Sequence, residues 1–245
     1  MRLIAGLGIG VAMLVAATVG AVHFDEYGGV VPTDKKAGRC ELKAAVQVAK
    51  AVKKLTACHM KRALGKGDEA AEEACEKGVA DTFDRMVHGC PAAPCLDNLT
   101  GAGLTFVVDG QSGTVYCAGK TPFGDDNSTV GGFSAKVPDD KTTAKCENKV
   151  AVKTAKLTAA VIGCHVKAAK AAIKAVKANG TVDPDGDKSC EDAATSAFKS
   201  GTSTTGCDCI NLDGIATAVV NLNDLAIQRI ACASPSGAFV DGTLD

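Results

Sequence analysis

Tryptophan is absent from the 245 residues, tyrosine occurs twice and phenylalanine seven times, so large rings cannot fill the interior. The hydrophobic share of 46% is carried largely by alanine and other small side chains, which remove little apolar area per residue from water. An excess of positive charge is missing too. With 27 basic against 28 acidic residues the net charge is −1, which excludes a nucleic-acid binder that works through bulk charge. What is abundant is cysteine, twelve residues in all. Closing a loop restricts the unfolded chain and typically adds about 2 to 4 kcal/mol per bridge, so disulfides supply what a small-residue core cannot.

Met1 and Arg2 precede an uncharged apolar run from Leu3 to Val22, and His23, Asp25 and Glu26 follow. The pattern predicts a secretory signal peptide over residues 1–21, cleaved after Ala21, with an uncleaved anchor helix as the alternative. Both readings place the remaining chain outside the cytoplasm, secreted or periplasmic. There an even cysteine count signifies disulfides before metal ligands.

The chain is an internal duplication. Cys40, Cys58, Cys75, Cys90, Cys95 and Cys117 are answered by Cys146, Cys164, Cys190, Cys207, Cys209 and Cys232. The first two pairs share an offset of 106 residues, as do His59 and His165, and the later offsets run from 114 to 117. This register defines unit 1 at 30–119 and unit 2 at 136–233, joined by a Gly- and Pro-punctuated linker at 120–135 and followed by a tail at 234–245. Each unit is expected to fold separately. The fold class is mainly α, two tandem disulfide-stapled helical units with short extended segments.

Residues 36–64 and 141–178 are rich in Ala, Lys and Leu and read as long amphipathic helices. The segments 68–88 and 188–200 read as second, acidic helices. Residues 35–66 carry ten basic side chains and one acidic, whereas 67–84 carry one basic and seven acidic, so matched charges are expected to face each other across the hairpin. A third segment, helical at 210–232, resembles a hairpin in unit 1, where Asp109, Gly110, Gln111, Ser112 and Gly113 look like a turn; a short helix that doubles back is expected in both. Antiparallel geometry then favours Cys58–Cys75, Cys40–Cys90 and Cys95–Cys117, with Cys164–Cys190, Cys146–Cys207 and Cys209–Cys232 as counterparts. Six cysteines allow fifteen connectivities, so this is a preference.

Candidate chemistry is sparse. Cys58-His59 and Cys164-His165 match the last two residues of a c-type haem motif, but Leu55 and Val161 stand where its other cysteine belongs. His59 and His165 remain candidate metal ligands, against the alternative of a polar residue beside a disulfide. Thr181, Asp183, Asp185, Gly186, Asp187 and Asp192 follow calcium-loop spacing imperfectly, with Pro184 inside and Asp192 in place of a bidentate glutamate. Cys207-Asp208-Cys209 lacks the same spacing in unit 1, which argues against a redox pair. Four histidines form no nucleophile, base and orienter set by spacing, and no enzymatic activity or bound cofactor is expected.

Leu55 to Lys61, LTACHMK, and Val161 to Lys167, VIGCHVK, together with Val182-Asp183-Pro184, resemble the alanine- and lysine-rich six-cysteine helical repeats of secreted deltaproteobacterial proteins. The resemblance implies an extracytoplasmic helical protein and nothing catalytic. The expected function is a non-catalytic structural or binding module for a protein or an anionic surface polymer, without nucleic acid, and without membrane contact after signal cleavage. The alternative is a periplasmic metal- or haem-binding protein using the Cys-His steps. A glycine and apolar motif at 28–32, 131–138 and 236–241 suggests one further contact: the tail packs on its own unit or, alternatively, pairs with the leading segment of a second molecule.

Overall fold

Alanine, lysine and leucine at helical spacing build α1 from Lys35 to Ala63, with Ala44, Ala45, Val48, Ala51, Val52, Leu55 and His59 buried on one stripe. Lys43, Lys50, Lys53, Lys54 and Lys61 are exposed on the other side. The computed structural model describes residues 29–30, 35–123, 135–178, 186–207, 209–232 and 239–240. The expected signal segment at 1–21, most of the linker, and Thr181, Asp183, Asp185 and Asp208 lie outside the described residues. Among the described residues no helix is long and apolar enough to cross a membrane.

Asp68 caps α2, Glu69–Val87, by accepting the Ala71 amide. A 3₁₀ turn at Pro94–Asn98 leads to α3, Gly101–Val115, which Thr100 caps through the Gly103 amide. Unit 2 repeats the order with α4 (Lys141–Lys177), α5 (Lys188–Gly201) and α6 (Leu212–Ile230), the last capped by Asn211. The hairpin-like signal at Asp109 to Gly113 is overridden. A Cβ at Gly101 would lie 2.4 Å from the Ala80 carbonyl oxygen, so glycine alone lets α3 start directly on α2. The Gly101 amide donates to Asp84 Oδ1 there at 2.6 Å, and the helix that follows buries Val108, Ser112 and Val115.

Four of the six expected bridges form: Cys40–Cys90, Cys58–Cys75, Cys146–Cys207 and Cys164–Cys190. The other two do not. Cys95 bonds Cys232 and Cys117 bonds Cys209, so the third segments are cross-linked between units and not within them. Spacing along one chain could not reveal this, because both pairings bring together the same two kinds of cysteine. Six disulfides among the described residues mark a chain that folds in an oxidising compartment.

The exchange is reciprocal in the glutamates and strands beside these bridges. Glu41 of α1 accepts the Cys232 amide at 2.8 Å, while Glu147, 106 residues later on α4, accepts the amides of Cys117 at 3.1 Å and Ala118 at 2.9 Å. Strand β2 (Thr121–Pro122), after unit 1, pairs antiparallel with β3 (Lys136–Val137), before unit 2. Strand β4 (Phe239–Val240) pairs with β1 (Gly29–Val30) in the same way. The tail therefore pairs with the leading segment of its own chain and also lies against α4, which fits the expectation that it packs on its own unit.

Separate folding of the units is also overturned. α1 and α4 pack directly on each other, and the two main hydrophobic clusters draw on both units: Leu55, Phe83 and Leu96 join Ile162, Ile227 and Ile230, while Val115, Tyr116 and Phe123 join Val150, Val161 and Val219. A core of small residues gains enough buried area only by pooling two units. The inter-unit bridges close loops with sequence separations of 137 and 92, for which chain entropy allows roughly 4 to 5 kcal/mol each.

A specific protease site inserted between residues 127 and 128 gives a direct check. After cutting, the two halves should run as one species on a non-reducing gel and separate only with reductant. Separation without reductant would contradict the crossed pairing.

Candidate metal centres

Each long helix carries its histidine immediately after the cysteine that staples it to the next helix. Cys58 and Cys75 are bonded, so the residues following them, His59 and Glu76, are held side by side; Cys164–Cys190 does the same for His165 and Glu191. Glu72 lies one turn before Glu76 and shares its face of α2, as Asp187 does for Glu191. The third helix contributes Asp109 in unit 1 and Asp224 in unit 2. Glu72, Glu76 and Asp109 are each separated from Asp187, Glu191 and Asp224 by 115 residues, the offset of Cys75 and Cys190. One set of four side chains thus occurs twice.

In unit 1 the carboxylates converge on Nε2 of His59, with Glu76 Oε1 at 2.6 Å, Asp109 Oδ1 at 3.3 Å and Glu72 Oε1 at 3.7 Å. His59, Glu72 and Glu76 are at most 2% exposed, and Asp109 is 16% exposed. Ser112 Oγ lies 2.7 Å from His59 Nδ1 and donates its own proton to the Val108 carbonyl at 3.2 Å. The hydroxyl oxygen is then left to accept Nδ1–H, which turns the Nε2 lone pair toward the carboxylates. Arg62 Nε stands 3.9 Å from the far oxygen of Glu72, while Glu76 Oε2 is buried without a hydrogen-bond partner among the described residues.

In unit 2 the position of Ser112 is taken by Ile227, 115 residues later, which cannot hold an imidazole. Asp187 takes over, with Oδ2 at 2.6 Å from His165 Nδ1, and Nε2 then faces Glu191 Oε1 and Asp224 Oδ1, each at 3.4 Å. Burial works against the charged imidazole of His165. Its contacts with Asp187, Asp224 and Glu191 outweigh that cost and push its pKa up to about 10. The longer Glu72 reaches past Nδ1 and joins the Nε2 side in unit 1, whereas the shorter Asp187 stays on Nδ1.

Apart from the 2.6 Å contact of His59 Nε2 with Glu76 Oε1, a direct hydrogen bond that a bound ion would open, these distances suit a cation between the groups. Ligands about 2.1 Å from a metal stand about 3 Å apart in cis and about 4.2 Å apart in trans. The nitrogen and oxygen atoms of His59, Glu72 and Glu76 all lie within 4.8 Å of one another, as do those of His165, Glu191 and Asp224. Cys117, Glu147 and Cys209 form a third such group, but their sulfurs are bonded to each other and offer no thiolate.

Sequence reasoning picked out His59, His165, Asp183, Asp185, Asp187 and Asp192. The structure places the two histidines and Asp187 in the centres. Asp192 points away on the exposed face of α5, and Asp183 and Asp185 lie outside the described residues. Asp187 serves His165 and not a calcium loop. Glu72, Glu76, Asp109, Glu191 and Asp224 were missed, although the cysteine offset of 115, applied to acidic residues, identifies three of the matched pairs. Of the α2 carboxylates expected to face the basic side chains of α1, Glu72 meets Arg62, and Glu72 and Glu76 are buried on His59. Comparison with family models, curated proteins and solved structures finds no match to this chain.

Glu147, at the crossed bridge, has its pKa raised to about 7 because burial penalises its charge more than the Ala118 and Cys117 amides favour it. Between pH 4.5, its ordinary value, and 7 the folded chain keeps a proton that the unfolded chain has released, so stability falls as pH rises through this window. Glu147→Gln should therefore be more stable than the parent at pH 8, by on the order of 2 kcal/mol, and close to it at pH 4.5. Urea unfolding at the two pH values measures this; an unchanged difference between them would assign Glu147 a charged role.

Proposed function

We propose that the protein is an extracytoplasmic metal-binding protein, secreted or periplasmic, that holds one first-row divalent transition metal ion in each of two centres. The observation that carries the reading is the recurrence in both units of one buried imidazole with carboxylates at Nε2, three in unit 1 and two in unit 2, and a polar group, Ser112 or Asp187, at Nδ1. Carboxylates outnumber the imidazole in each set, and their concentration out of water is costly unless cations accompany it. The mixed nitrogen and oxygen donors suit Mn(II), Fe(II) or Zn(II) over the softer Cu(I), which prefers sulfur. All twelve cysteines are occupied in disulfides, so the sulfur of the Cys-His steps is a staple, which favours metal binding through the imidazoles over haem attachment through Cys58 or Cys164. The role is binding and not catalysis. Disulfides make the scaffold and the histidine-carboxylate sets make the function.

Chelator-treated full chain titrated calorimetrically with Zn(II) or Mn(II) at pH 7.5 should bind two equivalents, and His59→Ala and His165→Ala should each retain one. Failure to bind either ion in the micromolar range would refute the proposal. Ser112→Ala tests the orienting contact. It should weaken the His59 equivalent by about 10- to 100-fold and leave the His165 equivalent unchanged, while the metal-free protein loses about 1 to 3 kcal/mol of stability from the lost buried contact.

A further inference from the structure

The two centres differ in how they meet solvent. Between α2 and α3 lies a cleft of about 450 Å³ whose lining includes five carboxylates, Glu73, Glu76, Asp81, Asp84 and Asp109, and one cation, Lys77. Lys77 is tied to Asp81 at 3.0 Å, and Asp84 accepts the Gly101 amide, so the cleft keeps a negative balance. Glu76 and Asp109 belong to both the cleft wall and the His59 centre. Asp109 is the member that touches water, and Glu76 behind it is 2% exposed with Oε2 unsatisfied. A carboxylate that is wet on one side and 3.3 Å from the imidazole on the other provides a step by which a hydrated dication exchanges water for protein oxygen.

The cavity that reaches His165 is different. It measures about 20 Å³ and is lined by Leu42, Val166, Ile173, Ile227 and Ile230 together with Glu41. Among the described residues the cavity that reaches His165 is lined mainly by apolar side chains, whereas the cleft on the Glu76 and Asp109 side of the His59 centre is acidic; a further small cavity meets His59 on its Ser112 side. Apolar walls repel a hydrated ion; a cleft of one sign of charge concentrates it and raises its rate of arrival by about 10- to 1,000-fold.

Resting on the metal-binding reading above, we propose that the α2–α3 cleft is the cation access path to the His59 centre, which makes this the rapidly exchanging site and the His165 centre the slowly exchanging one. The cleft residues outside the ligand set, Glu73 and Asp81, govern rate and not capacity.

The test is stopped-flow uptake of Zn(II) by the full chain, read with a chromophoric chelator as reporter of free zinc. Uptake should be biphasic, with the fast phase missing in His59→Ala and the slow phase missing in His165→Ala. Glu73→Lys combined with Asp81→Lys should slow the fast phase tenfold or more, leave the slow phase and the final two equivalents unchanged, and lose most of its effect in 0.5 M salt. Equal slowing of both phases, an unaltered fast phase, or a fast phase that survives in His59→Ala would overturn the access path while leaving metal binding intact. Absence of zinc uptake by the unmodified chain would overturn both readings.

Discussion

The withdrawal of an imidazole and three carboxylates from water in each unit is the constraint on which the rest of this protein depends. Such a set is stable only if every member is positioned, because removing one partner strands the others and costs about 3 to 5 kcal/mol in a buried ion pair. The bridges Cys58–Cys75 and Cys164–Cys190 meet that demand. Each fixes the backbone one residue before a histidine and one residue before a glutamate, so the two side chains need no large apolar neighbours to hold them together. A core of alanine and valine leaves room for buried charge and cannot fasten it; covalent staples do.

The same logic extends to the arrangement of the units. A hairpin of two helices buries one stripe of each, and the third helix must cover the histidine from the other side to bring in Asp109 or Asp224. Crossing the last two bridges between units ties the end of each third helix to the other unit, and Glu41 and Glu147 complete the tie by accepting amides at Cys232 and Cys117. The disulfide, glutamate and strand links each have a counterpart with the units exchanged. Paired β-segments, crossed disulfides and reciprocal glutamates form one joint, which makes the histidine centres properties of the whole chain.

The copies have diverged where divergence is tolerable. Ser112 and Ile227 occupy equivalent places, and the change from a hydroxyl to an apolar side chain is compensated by Asp187, which moves onto the ring nitrogen that serine holds in unit 1. The orienting role persists while the residue performing it changes. Among the described residues the lining differs further, with an acidic cleft beside Glu76 and Asp109 and mainly aliphatic side chains in the cavity at His165.

Much of this was legible in the amino-acid order. The duplication, the helical character of 35–63 and 141–177, the four intra-unit bridges and the two histidines follow from spacing, because helical periodicity and antiparallel return are local consequences of chain geometry. Three things were decided only in three dimensions. Cys95 and Cys209 each choose between two chemically identical partners, and the choice rests on which third helix packs nearby. Asp109 to Gly113 becomes helical because Gly101 seats α3 directly on α2, a contact between residues far apart in sequence. Glu72 and Glu76 of α2 turn inward to His59, because the staple between the two helices decides which face of α2 meets the imidazole, and no property of the acidic residues taken alone records that rotation.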